Sequence, residues 1–246
     1  MARFYCPESL APGLALALPP GPARHVQVLR LQPGDPVALF NGEPVAGQFG
    51  DYRARITKMG RQEVAVEVGE FTPADRAVRR NVHLAVGMPA NERMDWLVEK
   101  ATELGVRSIQ PLVTERSVLR LEGERAEKKN RHWRSVAIAA CEQCGANQLP
   151  EIYPVCQLAD WVERSLPPTG LRLILSLQPD ALALRQQLEG EPENQPVLFL
   201  SGPEGGLSSA EESAAQHHGF RAVSLGKRVL RAETAAIAAL CALVLD

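Results

Sequence analysis

The chain has 246 residues, 45% of them hydrophobic and 23% charged, with a formal net charge of −2, the balance of an ordinary soluble globular protein of one large or two small domains. Its longest apolar run, residues 235–245, is far shorter than the ~20 residues a membrane helix needs, which excludes a spanning protein. Five cysteines are an odd number and too sparse for a disulfide framework, so reduced thiols and a cytoplasmic location are expected.

The first residues could be mistaken for a secretion signal, since Arg3 precedes an apolar run from Leu10 to Leu18. Glu8, the Pro12-Gly13 break and Pro19-Pro20 argue against it. From Val37 to Glu70 the pattern is that of strands. Val37-Ala38-Leu39-Phe40 runs into the turn dipeptide Asn41-Gly42, and Val64, Val66 and Val68 alternate with other residues as in a half-buried strand. A small β-rich domain is placed at residues 1–72, closed by the polar, proline-bearing stretch Thr72-Pro73-Ala74-Asp75-Arg76.

Beyond it, over residues 73–246, strands alternate with helices. Strands are expected at 82–87, 106–113, 171–177, 196–201 and 220–225, with a weak one near 152–155. Helices are expected at 92–104, 124–144, 180–189, 208–218 and 232–245. Ser208 and Glu211 have capping-box spacing. The alternation predicts an α/β domain with a largely parallel sheet. The last helix is apolar almost all round, so either its own domain or a second subunit must cover it. Charge is uneven: residues 76–135 hold 13 Lys/Arg against 8 Asp/Glu, and residues 136–220 hold 3 against 11. That asymmetry allows a basic face for an anionic polymer, and a solvated helix face would give the same count.

Two strand-to-helix turns stand out. Ser201-Gly202-Pro203-Glu204-Gly205-Gly206 fits neither the dinucleotide fingerprint nor the phosphate-binding P-loop. Leu225-Gly226-Lys227-Arg228-Val229-Leu230-Arg231-Ala232-Glu233-Thr234 carries four charged side chains beside Val229 and Leu230. Paired glycine turns at the carboxyl edge of a sheet present bare backbone to a small ligand, and Arg231 suits a phosphate or a developing nucleobase anion. Cys141-Glu142-Gln143-Cys144 lacks the second cysteine pair of a zinc site and reads as packed helical cysteines; no metal is expected. His217-His218 read as a helix end, and His25, His83 and His132 form no triad. Thr114-Glu115-Arg116-Ser117 follows a strand and reads equally as a polar loop or as part of the same edge.

The segments Ser201-Gly-Pro-Glu-Gly-Gly-Leu-Ser and Leu225-Gly-Lys-Arg-Val-Leu-Arg-Ala-Glu-Thr-Ala, in that order, strongly resemble the RsmE family of bacterial 16S ribosomal RNA uridine-N3 methyltransferases, within the SPOUT superfamily. The resemblance extends over nearly the whole chain, through Arg3-Phe4-Tyr5, Val28-Leu29-Arg30-Leu31 with Gly34-Asp35, Glu99-Lys100 to Val106, Glu115-Arg116 and Ala139 to Gly145. Where relatives often carry paired histidines before the Val-Leu-Arg segment, this chain has Arg24-His25.

The resemblance implies an N-terminal PUA-like β-barrel that helps dock RNA and a C-terminal SPOUT domain tied in a trefoil knot. It further implies a homodimer, S-adenosyl-L-methionine as cofactor, and methylation of N3 of uridine 1498 in the 16S rRNA of the 30S subunit. By the same resemblance, Leu200, Gly202, Glu204, Gly205, Leu225, Gly226, Val229, Leu230 and Thr234 would hold the cofactor. Arg231 and Glu233 would be catalytic, with Glu204 a second possible proton acceptor, and Arg3, Arg30 and Arg116 would contact RNA. A non-enzymatic RNA-binding or ribosome-assembly protein is the alternative; a nicotinamide oxidoreductase would need an early glycine fingerprint, which is absent.

Overall fold

The computed structural model describes residues 1–61, 63–74, 76–164 and 170–245. The chain divides into two compact units, Met1–Ala77 with Ile138–Leu149, and Val78–Ala137 with Pro150–Asp246. The first unit thus recruits a segment far along the chain that local sequence patterns assign to the second. Asp75, in the expected linker, lies outside the described residues.

In the first unit, β1 (Arg3–Tyr5), β2 (Ala15–Ala17), β3 (Pro36–Phe40), β4 (Gly50–Met59) and β5 (Val64–Pro73) form a sheet in the order β1-β3-β4-β5-β2. The β1–β3 pair is parallel and the others antiparallel. The valine alternation does what it predicts: Val64, Val66 and Val68 are buried beside Leu39 and Ile56, while Glu67 faces solvent. Helix α1 (Pro20–Val28) is not among the elements expected from the sequence, and it opens on Pro20-Gly21-Pro22. Proline is tolerated in a first helical turn, where its missing amide would have no partner anyway, and buried Ala23 and Val26 seat the helix.

Residues 138–149 join this unit through polar contacts. Arg3 Nη1 donates to the Cys141 carbonyl at 2.8 Å, the Tyr5 amide to Glu142 Oε1 at 3.0 Å and Asn147 Nδ2 to Asp51 Oδ1 at 2.8 Å. Burial pushes the Glu142 carboxyl up from its ordinary range, against the opposing pull of the Tyr5 amide and His25.

The second unit holds β6 (Val82–Gly87), α2 (Asn91–Glu103), β7 (Ser108–Val113), the start of α3 (Gly123–Cys144), β8 (Glu151–Ile152), β9 (Cys156–Gln157) and α4 (Leu158–Arg164). It continues with β10 (Leu171–Leu175), β11 (Leu182–Ala183), α5 (Leu184–Leu188), β12 (Val197–Ser201), α6 (Ser209–His217), β13 (Arg221–Ser224) and α7 (Ala232–Val244). Among the described residues every strand pair in this sheet is parallel, in the order β11-β13-β10-β12-β6-β7-β8, with β9 also on β7. The mixed α/β fold with a parallel sheet is therefore as expected. The weak strand near 152–155 is instead the pair β8 and β9. The helix expected at 180–189 shortens to α5 preceded by β11, and α4, too short for its periodicity to show, goes unanticipated.

Helices cover both faces. Met94, Leu97, Val98 and Ala101 of α2, Trp133 of α3 and Ala236, Ala239 and Leu240 of α7 pack on one side of the sheet. Leu158, Trp161 and Val162 of α4 and Ala215 of α6 pack on the other. Asp95 joins α2 to α3, accepting from Trp133 Nε1 at 2.9 Å. Of α7, the side turned to the sheet is buried, while Thr234 and Ala242 are exposed.

The strand order fixes where a ligand can sit. From β12 the chain crosses through α6 to β13, which lies beyond β10, so the carboxyl ends of β12 and β13 flank that of β10. A crevice at such a change of direction is where open α/β sheets bind ligands.

Candidate active site

A cavity of about 340 Å³ opens at that crevice. Its floor is Ser201, Gly202 and Pro203 at the end of β12, and one wall is Leu225, Gly226, Val229 and Leu230 after β13. Leu175 to Leu177, at the carboxyl end of β10, form a wall that motif reading missed, since no glycine or charge marks them. At its mouth Leu177 and Val229 are 74% and 76% exposed, apolar surface that a planar ring could cover.

The glycine turn needs its glycines for space. A Cβ on Gly202 would lie 2.6 Å from the Gly206 carbonyl carbon and the Leu207 amide, and one on Gly87 would lie 2.6 Å from Pro203 Cδ. Only bare backbone lets the end of β6 and the turn approach this closely. Side chains then brace the turn. Glu204 Oε1 accepts from the Ala90 amide at 2.9 Å and from Arg93 Nη1 at 3.1 Å. Arg116 Nη1 donates to the carbonyls of Gly205 at 2.9 Å and Leu207 at 3.2 Å. The expected capping box closes the helix after the turn: the Ser208 amide donates to Glu211 Oε2 at 2.8 Å, and the Glu211 amide donates to Ser208 Oγ at 3.3 Å.

The second turn is built differently. Ser224 Oγ accepts from the Gly226 amide at 3.2 Å and is 3.3 Å from its carbonyl. Among the described residues no hydrogen bond or ion pair engages the side chains of Lys227, Arg228 or Arg231, and all three are exposed. Arg231 is the residue preceding α7 and, with Arg228, lines the cavity.

Of the expected cofactor residues, Gly202, Glu204, Leu225, Gly226, Val229 and Leu230 line the cavity, whereas Leu200, Gly205 and Thr234 do not. The Leu200 side chain is fully buried among Leu112, Ile174 and Leu198 on the α4 and α6 side of the sheet. Gly205 faces Arg116 instead, and Thr234 is exposed on α7. Glu233, expected to be catalytic, is 7% exposed and is not a lining residue; its Oε1 lies 3.8 Å from Arg93 Nε. Arg93, unmarked in the sequence, does line the cavity. Nothing local could reveal it, because its partners are more than a hundred residues away.

The three arginines expected at RNA differ in setting. The Arg3 side chain is 12% exposed, paired to Asp51 at 2.8 Å and stacked over Phe40 at 4.5 Å, so it is held inside its own unit. Arg116 is exposed but props the glycine turn. Arg30 is exposed and adopts φ 55°, a left-handed conformation unusual for a side-chain-bearing residue. Cys141 is buried, its thiol pushed up to about 12 by burial, while Cys144 is exposed rather than packed. Among the described residues no group of three His, Cys, Asp or Glu is placed to hold a metal ion, and no helix is long and apolar enough to cross a membrane. His217 and His218 lie at the end of α6, each ring against a carbonyl four residues back.

Residues 76–244 match a family model described as an RNA methyltransferase domain. Among curated relatives, ribosomal RNA small subunit methyltransferase E of Buchnera aphidicola subsp. Schizaphis graminum is 36% identical over 218 residues, 88% of this chain and 84% of that protein. Its Bacillus subtilis counterpart is 28% identical over 221 residues, 89% and 84% of the two chains. The structure of ribosomal RNA small subunit methyltransferase E from Neisseria gonorrhoeae, bound to S-adenosyl methionine, superposes with a TM-score of 0.89 at 36% identity, covering 99% of this chain and 96% of that one. A Legionella pneumophila methyltransferase in complex with the same cofactor gives 0.90 and 36%, covering 98% and 96%. With an RNA methyltransferase domain matched over residues 76–244 and a relative 36% identical over 88% of this chain, the protein belongs to the ribosomal RNA small subunit methyltransferase E family.

Proposed function

We propose that this protein methylates N3 of a uridine in 16S rRNA of the small ribosomal subunit, using S-adenosylmethionine. The observation that carries the reading is the cavity at the ends of β10, β12 and β13, with unpaired Arg231 on its wall, in a chain 36% identical to a methyltransferase structure holding that cofactor. The residues fit the group. Leu175, Val223, Leu225, Val229 and Leu230 offer apolar walls for an adenine ring, and the bare backbone at Gly202 and Gly226 offers close polar contact.

When bound, S-adenosylmethionine supplies a methyl group already activated on a positively charged sulfur. The protein's part is alignment, together with stabilisation of the uridine as N3 loses its proton. Arg231 places a guanidinium where negative charge develops on the base, at an open mouth where an RNA nucleotide can enter. Glu204, the acidic lining residue among the described residues, already holds the Ala90 amide and Arg93. The N3 proton therefore leaves to solvent through the mouth, and Glu233 serves behind the wall.

The same reading makes residues 1–72 a PUA-like barrel that docks RNA, with exposed Arg30 as a phosphate contact, and residues 73–246 a trefoil-knotted SPOUT domain. The likeness to methyltransferase E relatives, which runs over nearly the whole chain, supports this, and exposed Arg30 is free to meet a phosphate. Homodimerisation through the half-covered α7 and a cytoplasmic site of action, where ribosomes are, belong to it as well. Unmodified 30S subunits incubated with the protein and labelled cofactor should gain label and a new reverse-transcription stop at one uridine, because methylated N3 blocks the pairing edge. Absence of both would sink the reading.

A further inference from the structure

Arg93 stands in the first turn of α2, and its guanidinium meets carboxylates from two separate segments. Nη1 lies 3.1 Å from Glu204 Oε1 on the glycine turn, and Nε lies 3.8 Å from Glu233 Oε1 in the first turn of α7. The same Glu204 oxygen accepts from the amide of Ala90, the residue just before α2, so one carboxylate serves both a helix N-terminus and the arginine. The Glu233 side chain is only 10% exposed, and its second oxygen, Oε2, is buried without a hydrogen-bond partner. A carboxylate in that setting is costly unless a cation stands against it. Among the described residues Arg93 is the cation that does so.

Arg93 also lines the cavity, yet two acids already match its charge. Arg228 and Arg231, on the same cavity, have no such partners. The difference separates an arginine that holds the protein from arginines available to a ligand. We infer that Arg93 is a positioning residue: it ties the turn after β12 to the start of α7 and thereby sets Arg231, two residues before Glu233, against the cofactor wall. The inference rests on the methyl-transfer reading above for its catalytic consequence, though not for the tie itself.

Two measurements on Arg93→Ala test it. In the ligand-free protein, hydrogen–deuterium exchange should rise both at 202–207 and at 231–236 while β7 is unchanged. In methyl transfer to unmodified 30S subunits, kcat should fall on the order of 100-fold, the penalty of a small misplacement. The S-adenosylmethionine Kd measured by calorimetry should change by less than about 5-fold, roughly 1 kcal/mol. Unchanged exchange in either segment overturns the inference, and so does an equal loss in kcat and Kd, which would make Arg93 a direct cofactor ligand. An inactive wild type would instead defeat the functional reading, with exchange still deciding the tie. If Arg93→Ala does not fold, Arg93→Lys keeps the charge without the two-sided reach and should loosen one of the two segments; exchange unchanged in both overturns the inference.

Discussion

The two turns that form the cavity are alike in place and opposite in construction. The turn after β12 is held from both sides, by Glu204 on Ala90 and Arg93 and by Arg116 on two carbonyls. The turn after β13 is held at its two ends, by Ser224 at the start and by Arg93 against Glu233 where α7 begins, and between them leaves Lys227, Arg228 and Arg231 unpaired in solvent. A braced turn has few conformations to lose and suits a fixed binding floor. Unpaired arginines keep their full hydrogen-bonding capacity for a ligand that brings negative charge. The site thus separates holding from reacting, and each half can be tested against the other.

The largest effect is expected in the unbraced half. Arg231→Ala should lower single-turnover methyl transfer on the order of 100- to 1000-fold, the usual loss when a donor to developing charge is removed. Cofactor affinity by calorimetry should stay nearly unchanged; equal loss of both would place Arg231 on the cofactor and erase the distinction. In the braced half, Gly202→Ala forces a Cβ to within 2.6 Å of the Gly206 and Leu207 backbone. It should cost about 1–3 kcal/mol in denaturant unfolding and weaken cofactor binding, because backbone cannot yield as a side chain can.

Arg116→Ala removes both hydrogen bonds that Nη1 makes to the turn and should weaken cofactor binding by about 1 kcal/mol, the order of one hydrogen bond. The salt dependence of RNA binding should hardly move; a shallower slope would return Arg116 to the RNA. The smallest effect is expected for Lys227→Ala, an exposed residue off the cavity wall. It should leave cofactor affinity alone and reduce the RNA salt slope by about 1.

Local chemistry made one half of this site readable and hid the other. Three glycines around a proline, and charges crowded beside Val229 and Leu230, are visible because turns and loops declare themselves in composition. Leu175 to Leu177 do not, since an apolar strand end looks the same whether it lines a cavity or a core. Thr234 and Leu200 show the converse: both lie in marked segments, yet one is exposed on α7 and the other buried on the far side of the sheet. Arg3 reads as a free cation until Asp51 and the Cys141 carbonyl are brought to it from distant parts of the chain.

By itself the sequence determined the periodic elements, the parallel α/β class and the two marked turns, because hydrophobic period and glycine act over a few residues. Helix α1 behind its prolines, the transfer of residues 138–149 to the first unit, and the order β13-β10-β12 were decided only in three dimensions. So was the meeting of Arg93 with Glu204 and Glu233. Each depends on burial and charge pairing between segments far apart in the chain, and no local pattern encodes such pairings. The same tertiary pairing that braces one turn leaves Arg231 of the other unopposed at the cavity wall.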